Sequence, residues 1–307
     1  MTSRRVLWLL AAAILLPPSS TLAASDGRGS EQPPLAAKLM APGAGDAPET
    51  GDDGGRAALG AAAAEREAAY KLGGEAREAA LIRAAATFGS LADDGELVVA
   101  VRTEAAFRAG ELLRARKLPE EAASRFHQAL AMGGALPAPQ LPTTGAEGGS
   151  GAGADTSSAE TVEPGVLEAR GFAARGLLEL AHIERRADRF DEALSLYGRL
   201  SGDFPDQPRQ GAHGGTWAIK LLVRTGALDQ AQATVADFAA HHRDYPLELL
   251  RNTTTVAEAL MDAGRQPEAQ ELVEAMALQL EPLMDPEDSQ LKTALAAVRV
   301  TVRDRVR

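Results

Sequence analysis

The chain of 307 residues contains no cysteine. This absence excludes disulfide bonds, thiolate metal sites, a cysteine nucleophile and a lipid-modified N-terminal cysteine. It fits a reducing cytosol, and it also fits an exported protein that folds without oxidation. Cysteine usage therefore does not indicate the compartment by itself.

Aromatic residues are scarce, at 4% of the chain, and basic residues are outnumbered, since the net charge is −11 at pH 7. No lysine-rich stripe with interleaved aromatics occurs, so we do not expect nucleic-acid binding. The apolar residues are largely Ala and Leu, which favour helices, and β-branched runs are few. The composition therefore predicts an all-α protein.

The motifs of the common catalytic and metal sites are also missing from the sequence. The five histidines form no His-x3-His or His-Glu-x2-His pair, and the adjacent His241 and His242 would point apart on a helix. There is no Gly-x-Ser-x-Gly and no phosphate-binding Gly-Lys-Ser/Thr motif. We therefore predict that the protein is not an enzyme, with no catalytic residues, no metal and no cofactor.

Residues 1–24 have the three parts of an export signal. Arg4 and Arg5 precede an apolar run that ends at Leu16, and small residues follow up to Ala24. The apolar run is shorter than the roughly 20 residues that cross a bilayer. The pattern predicts a cleaved signal peptide that delivers the chain to the periplasm or cell envelope. Beyond this signal, no membrane association is expected.

Two further stretches are rich in Gly, Pro and small polar residues. Residues 25–55 are predicted to be a disordered tether, and residues 133–165 a disordered insert. The insert is either a loop extruded between two repeats, which we favour, or a linker between two domains. The remaining segments are predicted to be helical repeats at 56–132 and 166–282 and a capping helix at 283–307.

A small residue, followed four positions later by a larger apolar one, recurs in the second helix of each predicted hairpin. The small residues are Ala84, Ala122, Ala193, Ala231 and Ala269. They are 38 residues apart, except across the insert, where the step is 71 residues. Such alternation lets one helix approach its neighbour at the alanine while the larger side chain fills the next gap. This period predicts an α-solenoid of helical hairpins, closed by the C-terminal capping helix.

With this pattern the chain resembles the tetratricopeptide repeat family. Gly110 and Ala181 lie twelve residues before their alanines, where the family has a small residue in its first helix. The family's first-helix tryptophan and tyrosine are absent, and the period is longer than the family's usual value of about 34. The long period, with Phe204-Pro205 and Tyr245-Pro246 at hairpin ends, resembles the tetratricopeptide proteins of bacterial envelopes. These include outer-membrane assembly factors and the periplasmic cell-division coordinator.

The resemblance implies that the first helix of each hairpin lines a concave groove. The candidate groove residues are Arg175, His182, Arg185, Arg186, His213, Trp217, Lys220, Arg224 and Arg251. A basic groove in an acidic protein would attract an acidic peptide, a C-terminal carboxylate or an anionic polymer. The same charges also fit an ordinary solvated helix face. No oligomeric state is predicted.

The expected function is that of a non-enzymatic scaffold of the bacterial cell envelope, which binds a protein or peptide partner in this groove. Two alternatives remain open. One is a structural scaffold that self-associates through its alanine-rich N-terminal helices. The other is an accessory subunit of an envelope enzyme or assembly machine.

Overall fold

The structure is a computed structural model, and it describes residues 53–138, 164–283 and 289–306. The predicted signal peptide, nearly all of the predicted tether and most of the predicted insert lie outside these residues. The helices are α1 Asp53–Tyr70, α2 Gly74–Asp93, α3 Val99–Ala115, α4 Pro119–Gly134, α5 Pro164–Arg186, α6 Phe190–Asp203, α7 Pro208–Thr225, α8 Leu228–His241, α9 Pro246–Asp262, α10 Gln266–Leu280 and α11 Ser289–Val306. None of the described helices is both long and apolar enough to cross a membrane.

The starts of several helices follow from proline, which suits a first turn because that turn needs no backbone N–H donor. Pro119 begins α4, Pro208 begins α7 and Pro246 begins α9. The last two prolines are 38 residues apart, so they hold equivalent positions in successive repeats. The bounds differ from the predicted segments by a few residues. Helix α1 begins three residues inside the predicted tether, and α4 and α5 each extend two residues into the predicted insert.

Each helix packs against the next one in the chain, and the odd-numbered helices also pack against one another in order from α1 to α11. Short turns join most neighbours, so consecutive helices form antiparallel hairpins. The odd-numbered helices therefore form one layer, with the even-numbered helices outside it. The described residues form helices and turns with no strand. The predicted all-α solenoid of helical hairpins is confirmed, and α11 packs against α9 and α10 as its C-terminal cap.

The repeated small–large pattern lies in the centre of this packing. The five repeat alanines all have 0% solvent exposure. The residues four positions later are almost as fully buried: Phe88, Phe126, Tyr197, Val235 and Val273. Each pair belongs to an even-numbered helix, where the alanine permits close approach and the larger side chain fills the space beside it. The 38-residue period is thus a packing period.

The helices on either side of the predicted insert pack directly together. The C-terminal end of α4 lies so close to α5 that a Cβ added at Gly133 would collide with the carbonyl oxygen of Ala169. A hydrophobic cluster also continues from Phe107 and Phe126 to Phe172 and Leu180 on α5. The described residues from 53 to 306 consequently belong to one compact unit. The segment 139–163 itself lies outside the described residues.

The turn inside each later hairpin contains one residue in the left-handed backbone region. These residues are Lys117, Asp188, Gly226 and Gly264, with φ angles of 62°, 57°, 79° and 79°. All four lie five positions before a repeat alanine, so the turn geometry follows the same period as the core. Glycine adopts this conformation without the steric cost that a Cβ introduces.

Substitutions at these turns should change stability in opposite directions. We expect Gly226→Ala to lower the free energy of unfolding by about 1 kcal/mol, because alanine is strained at positive φ. Lys117→Gly should raise it by about 0.5 kcal/mol for the converse reason. Urea unfolding followed by circular dichroism measures both changes. A more stable Gly226→Ala variant would contradict the turn assignment.

A buried ion pair joins three helices near the predicted insert. Arg170 on α5 is 2% exposed, and its Nε and Nη2 atoms donate to Asp206 at 3.0 and 2.6 Å. Its guanidinium also donates to the carbonyl oxygens of Leu136 and Asp203, each at 2.8 Å. Burial raises the pKa of Asp206, but the hydrogen bonds from Arg170 and Gln207 outweigh it, so the pKa is lowered. This network ties the ends of α4 and α6 to α5.

Candidate binding face on the odd-numbered helices

Three rows of equivalent residues run across helices α3, α5, α7 and α9. The first row is Glu104, Arg175, His213 and Arg251; the second is Arg108, Glu179, Trp217 and Thr255; the third is Glu111, His182, Lys220 and Glu258. Within each helix the three positions are spaced i, i+4 and i+7, so they share one face. Six of the nine predicted groove residues lie in these rows, on a surface that we call the row face.

The N-terminal half of the row face is not basic, because acidic side chains neutralise its arginines. Arg108 pairs with Glu104 at 3.4 Å and with Glu111 at 3.1 Å, and Arg114 pairs with Glu179. Burial raises the pKa of both Glu104 and Glu179, against the lowering charges of their arginine partners. Opposite charges therefore alternate along this part of the row face.

Aromatic and cationic side chains meet between the second half of α5 and α7, in what we call the Trp217 cluster: Trp217, Arg185, Lys220, His182 and Tyr197. The Arg185 guanidinium lies 4.6 Å and the Lys220 ammonium 4.9 Å from the centroid of the indole ring. His182 contacts the same ring edge-on, with the centroids 5.1 Å apart. Two cations on one indole ring form a pair of cation–π contacts.

His182 is held in place by the hydroxyl of Tyr197, 2.7 Å from its Nδ1 atom. Burial lowers the pKa of His182 to about 4, and the charges of Arg185, Arg186 and Arg114 act in the same direction. Because this value lies far below the ordinary value of about 6.5, the ring is neutral near pH 7. Tyr197 occupies the repeat position of Phe88 and Phe126, so its ring fills the core while its hydroxyl reaches the face.

The depressed pKa of His182 should make the fold sensitive to acid. A histidine whose pKa is lower in the folded state contributes stability above its unfolded value of about 6.5, and this stability is lost as the pH falls toward 4. We expect a loss of up to about 3 kcal/mol over that window, which His182→Gln should abolish. His127 is exposed and serves as the matched control, His127→Gln. Urea unfolding at several pH values measures the difference; equal pH dependence in both variants would contradict the assignment.

Two further predicted residues lie near the cluster without touching Trp217. Arg186 is exposed at the C-terminal end of α5, and its charge lowers the pKa of His182. His213 is one helical turn before Trp217. Partial burial of its ring and the charge of Arg209 lower the pKa of His213, with Lys220 adding to the effect and Glu248 opposing it. Both histidines therefore experience an excess of positive charge.

The other three predicted groove residues lie away from the Trp217 cluster. Arg175 is covered by the rings of Phe172 and Phe107, at 4.6 and 5.9 Å, and burial lowers its pKa. Arg224 lies at a hairpin turn, 3.7 Å from Asp188. Arg251 is exposed on α9 in register with Arg175 and His213. The structure thus places six of the nine predicted residues together, at or beside the Trp217 cluster.

The repeat pattern of the sequence includes Tyr197, but the predicted groove residues do not. The available signal was its hydroxyl, since a buried tyrosine normally needs a hydrogen-bond partner and the equivalent positions carry phenylalanine or valine. One recess of the described residues is a different place. It has a volume of about 340 Å³, includes Phe190, Leu194 and Leu222 in its lining, and contains no residue of the Trp217 cluster.

Within the described ranges, no three His, Asp or Glu side chains are arranged to hold a metal ion.

No family model matches the chain, and no curated protein matches it either. Two solved structures are similar, both of a predicted kinesin light chain from Podosopora anserina with nearly identical TPR-like repeats. The first, a point variant of that protein, is 12% identical with a TM-score of 0.42, covering 74% of this chain and 95% of its own. The second is 13% identical with a TM-score of 0.42, covering 75% and 97%.

Proposed function

We propose that the protein is a non-enzymatic scaffold of the bacterial cell envelope, which binds a protein or peptide partner along the row face. The Trp217 cluster is its contact for acidic groups. The observation that carries this proposal is the pair of cations on the Trp217 indole ring, in a chain whose net charge is −11. Tryptophan and arginine are the residues that most often dominate binding energy at interfaces.

The electrostatics of the cluster support an acidic partner. Among the described residues, no acidic side chain forms an ion pair with Arg185, Arg186 or Lys220, whereas Arg108 and Arg114 of α3 are paired. A planar guanidinium matches a carboxylate with two parallel hydrogen bonds, and a lysine adds a mobile point charge. The positive charge of the cluster would attract an acidic segment to this part of the row face.

The proposed location rests on the export pattern of residues 1–24. The absence of cysteine is compatible with it, because the fold needs no oxidising environment. Fractionation of cells that produce the full chain checks this point. Recovery of the processed chain with the envelope fraction supports it, and recovery of the unprocessed chain in the cytosol contradicts it.

Substitutions in the Trp217 cluster should weaken binding of the partner. We expect Trp217→Ala and Lys220→Glu each to reduce partner binding about tenfold or more, because each removes a contact at the centre of the cluster. Crosslinking in native cells, followed by quantitative recovery of the attached protein, measures the change. Arg243→Glu is the matched control, since Arg243 is an exposed arginine at the turn between α8 and α9. Unchanged recovery with both cluster variants contradicts the proposal.

The second candidate function, self-association, is favoured by one feature of the first hairpin. Tyr70, Leu72 and Ile82 are large apolar residues there, and 44–49% of their surface is exposed. Exposed apolar residues mark an interface where they form a contiguous patch. The mass of the protein in solution separates the two functions. A multimer that dissociates on Ile82→Asp favours the structural scaffold, and a monomer favours the binding module.

A further inference from the structure

We propose that His182 and His213 take up protons from solution when an acidic segment binds the Trp217 cluster. The affinity of the protein for this segment therefore rises as the pH falls. This inference rests on the proposed function and adds a regulation to the same site. It is carried by the placement of two histidines within a group of cations on the surface that would hold the anion.

The surroundings of His182 are cationic on most sides. Arg114 faces it from α3, Arg185 and Arg186 from α5, and His213 from α7. The Tyr197 hydroxyl of α6 occupies its Nδ1 atom. The nearby carboxylate is Glu179 on α5, and Arg114 neutralises it. Without a ligand, a proton on His182 would therefore add a charge to an already positive and half-buried place, which favours the neutral ring.

His213 has the same kind of environment at a more exposed position. Arg209 and Lys220 on α7 and His182 on α5 surround it, and Glu248 on α9 is the opposing charge. Because His213, Trp217 and Lys220 lie on one face of α7, an anion that contacts Trp217 and Lys220 also lies next to His213. The two histidines therefore face one binding position from two helices.

A bound carboxylate reverses this balance. An opposite charge within about 4–6 Å favours the protonated imidazole by about 1–3 pKa units. Linkage is reciprocal, so a ligand that raises the pKa of a histidine binds more tightly when that histidine is protonated. A rise of one unit corresponds to about a tenfold gain in affinity at a pH below both values. Each proton comes from solution, and no covalent bond is formed or broken.

The experiment is an NMR titration of the full chain labelled at its histidine and tryptophan side chains. Hexaglutamate is the probe, hexaglutamine is the uncharged control, and the ionic strength is held constant. We expect hexaglutamate to shift the indole N–H signal of Trp217 and to raise the pKa of His182 and His213 by about one unit each. The signals of the exposed His127 and His241 are internal references and should not move when hexaglutamate is added.

The outcomes separate the two ideas. If the Trp217 signal does not respond at any pH from 7.5 to 4.5, the acidic-partner function fails and this inference fails with it. If Trp217 responds and both histidine pKa values stay constant, only the proton coupling is overturned. A variant test adds a second readout: His182→Gln with His213→Gln should flatten the ratio of affinities at pH 4.5 and pH 7.5, the lower pH being needed because the His182 pKa is about 4 without a ligand. The pair His127→Gln with His241→Gln should preserve that ratio, and equal ratios in the two double variants contradict the coupling.

Discussion

Replacing Arg170 with methionine is expected to lower the free energy of unfolding by about 3–5 kcal/mol. The side chain is 2% exposed and its partner Asp206 is 1% exposed, so the substitution leaves a buried carboxylate without its counter-charge. The carbonyl oxygens of Leu136 and Asp203 lose their donors at the same time. Urea unfolding followed by circular dichroism measures the loss.

Two comparisons distinguish a buried network from a general effect of the substitution. Arg199→Met removes an exposed pair with Asp203 on α6, and we expect a change below about 1 kcal/mol. The double variant Arg170→Met with Asp206→Leu removes both charges, and it should be more stable than the single variant. A single variant that resembles Arg199→Met, or a double variant that is less stable than the single one, contradicts the assignment.

The fold was predictable because its packing is periodic. Ala122 and Ala193 recur with a larger residue four positions on, and each such pair lies in the core of its hairpin. Arg170 was not predictable in this way. An arginine in an alanine-rich helix is usually exposed, and its partner Asp206 lies 36 residues later, beyond the next helix. Only the contact between α5 and the end of α6 brings the two together.

The sequence predicted which residues of the candidate site share a helix face. It did not predict which of their charges are neutralised. His182, Trp217 and Lys220 share a surface because the helical period and the 38-residue repeat together align them. The neutralisation of Arg114 by Glu179 was missed, since these residues lie on different helices. The periodicity therefore indicates the register of each helix face, and the pairing across helices has to come from the packing.

Truncating Phe126 to alanine is expected to cost about 3–5 kcal/mol. The ring has 0% exposure and its centroid lies 5.7 Å from that of Phe107 on α3. It also fills the space above Gly110, because a Cβ added there would lie 2.6 Å from the ring. Units of a repeat array are stabilised mainly by their neighbours, so a cavity between α3 and α4 weakens the junction with α5 as well.

The glycine beside this ring supplies a test whose sign should reverse. In the parent chain, Gly110→Ala is expected to destabilise by about 1–3 kcal/mol, because the added methyl group displaces a fully buried ring. In the Phe126→Ala background the same methyl group enters the vacated space, and the better helix propensity of alanine should stabilise the protein by about 1 kcal/mol. A double-mutant cycle from urea unfolding measures the coupling between the two positions. Additive effects at the two positions would show that the close approach of α3 to α4 does not depend on this pair.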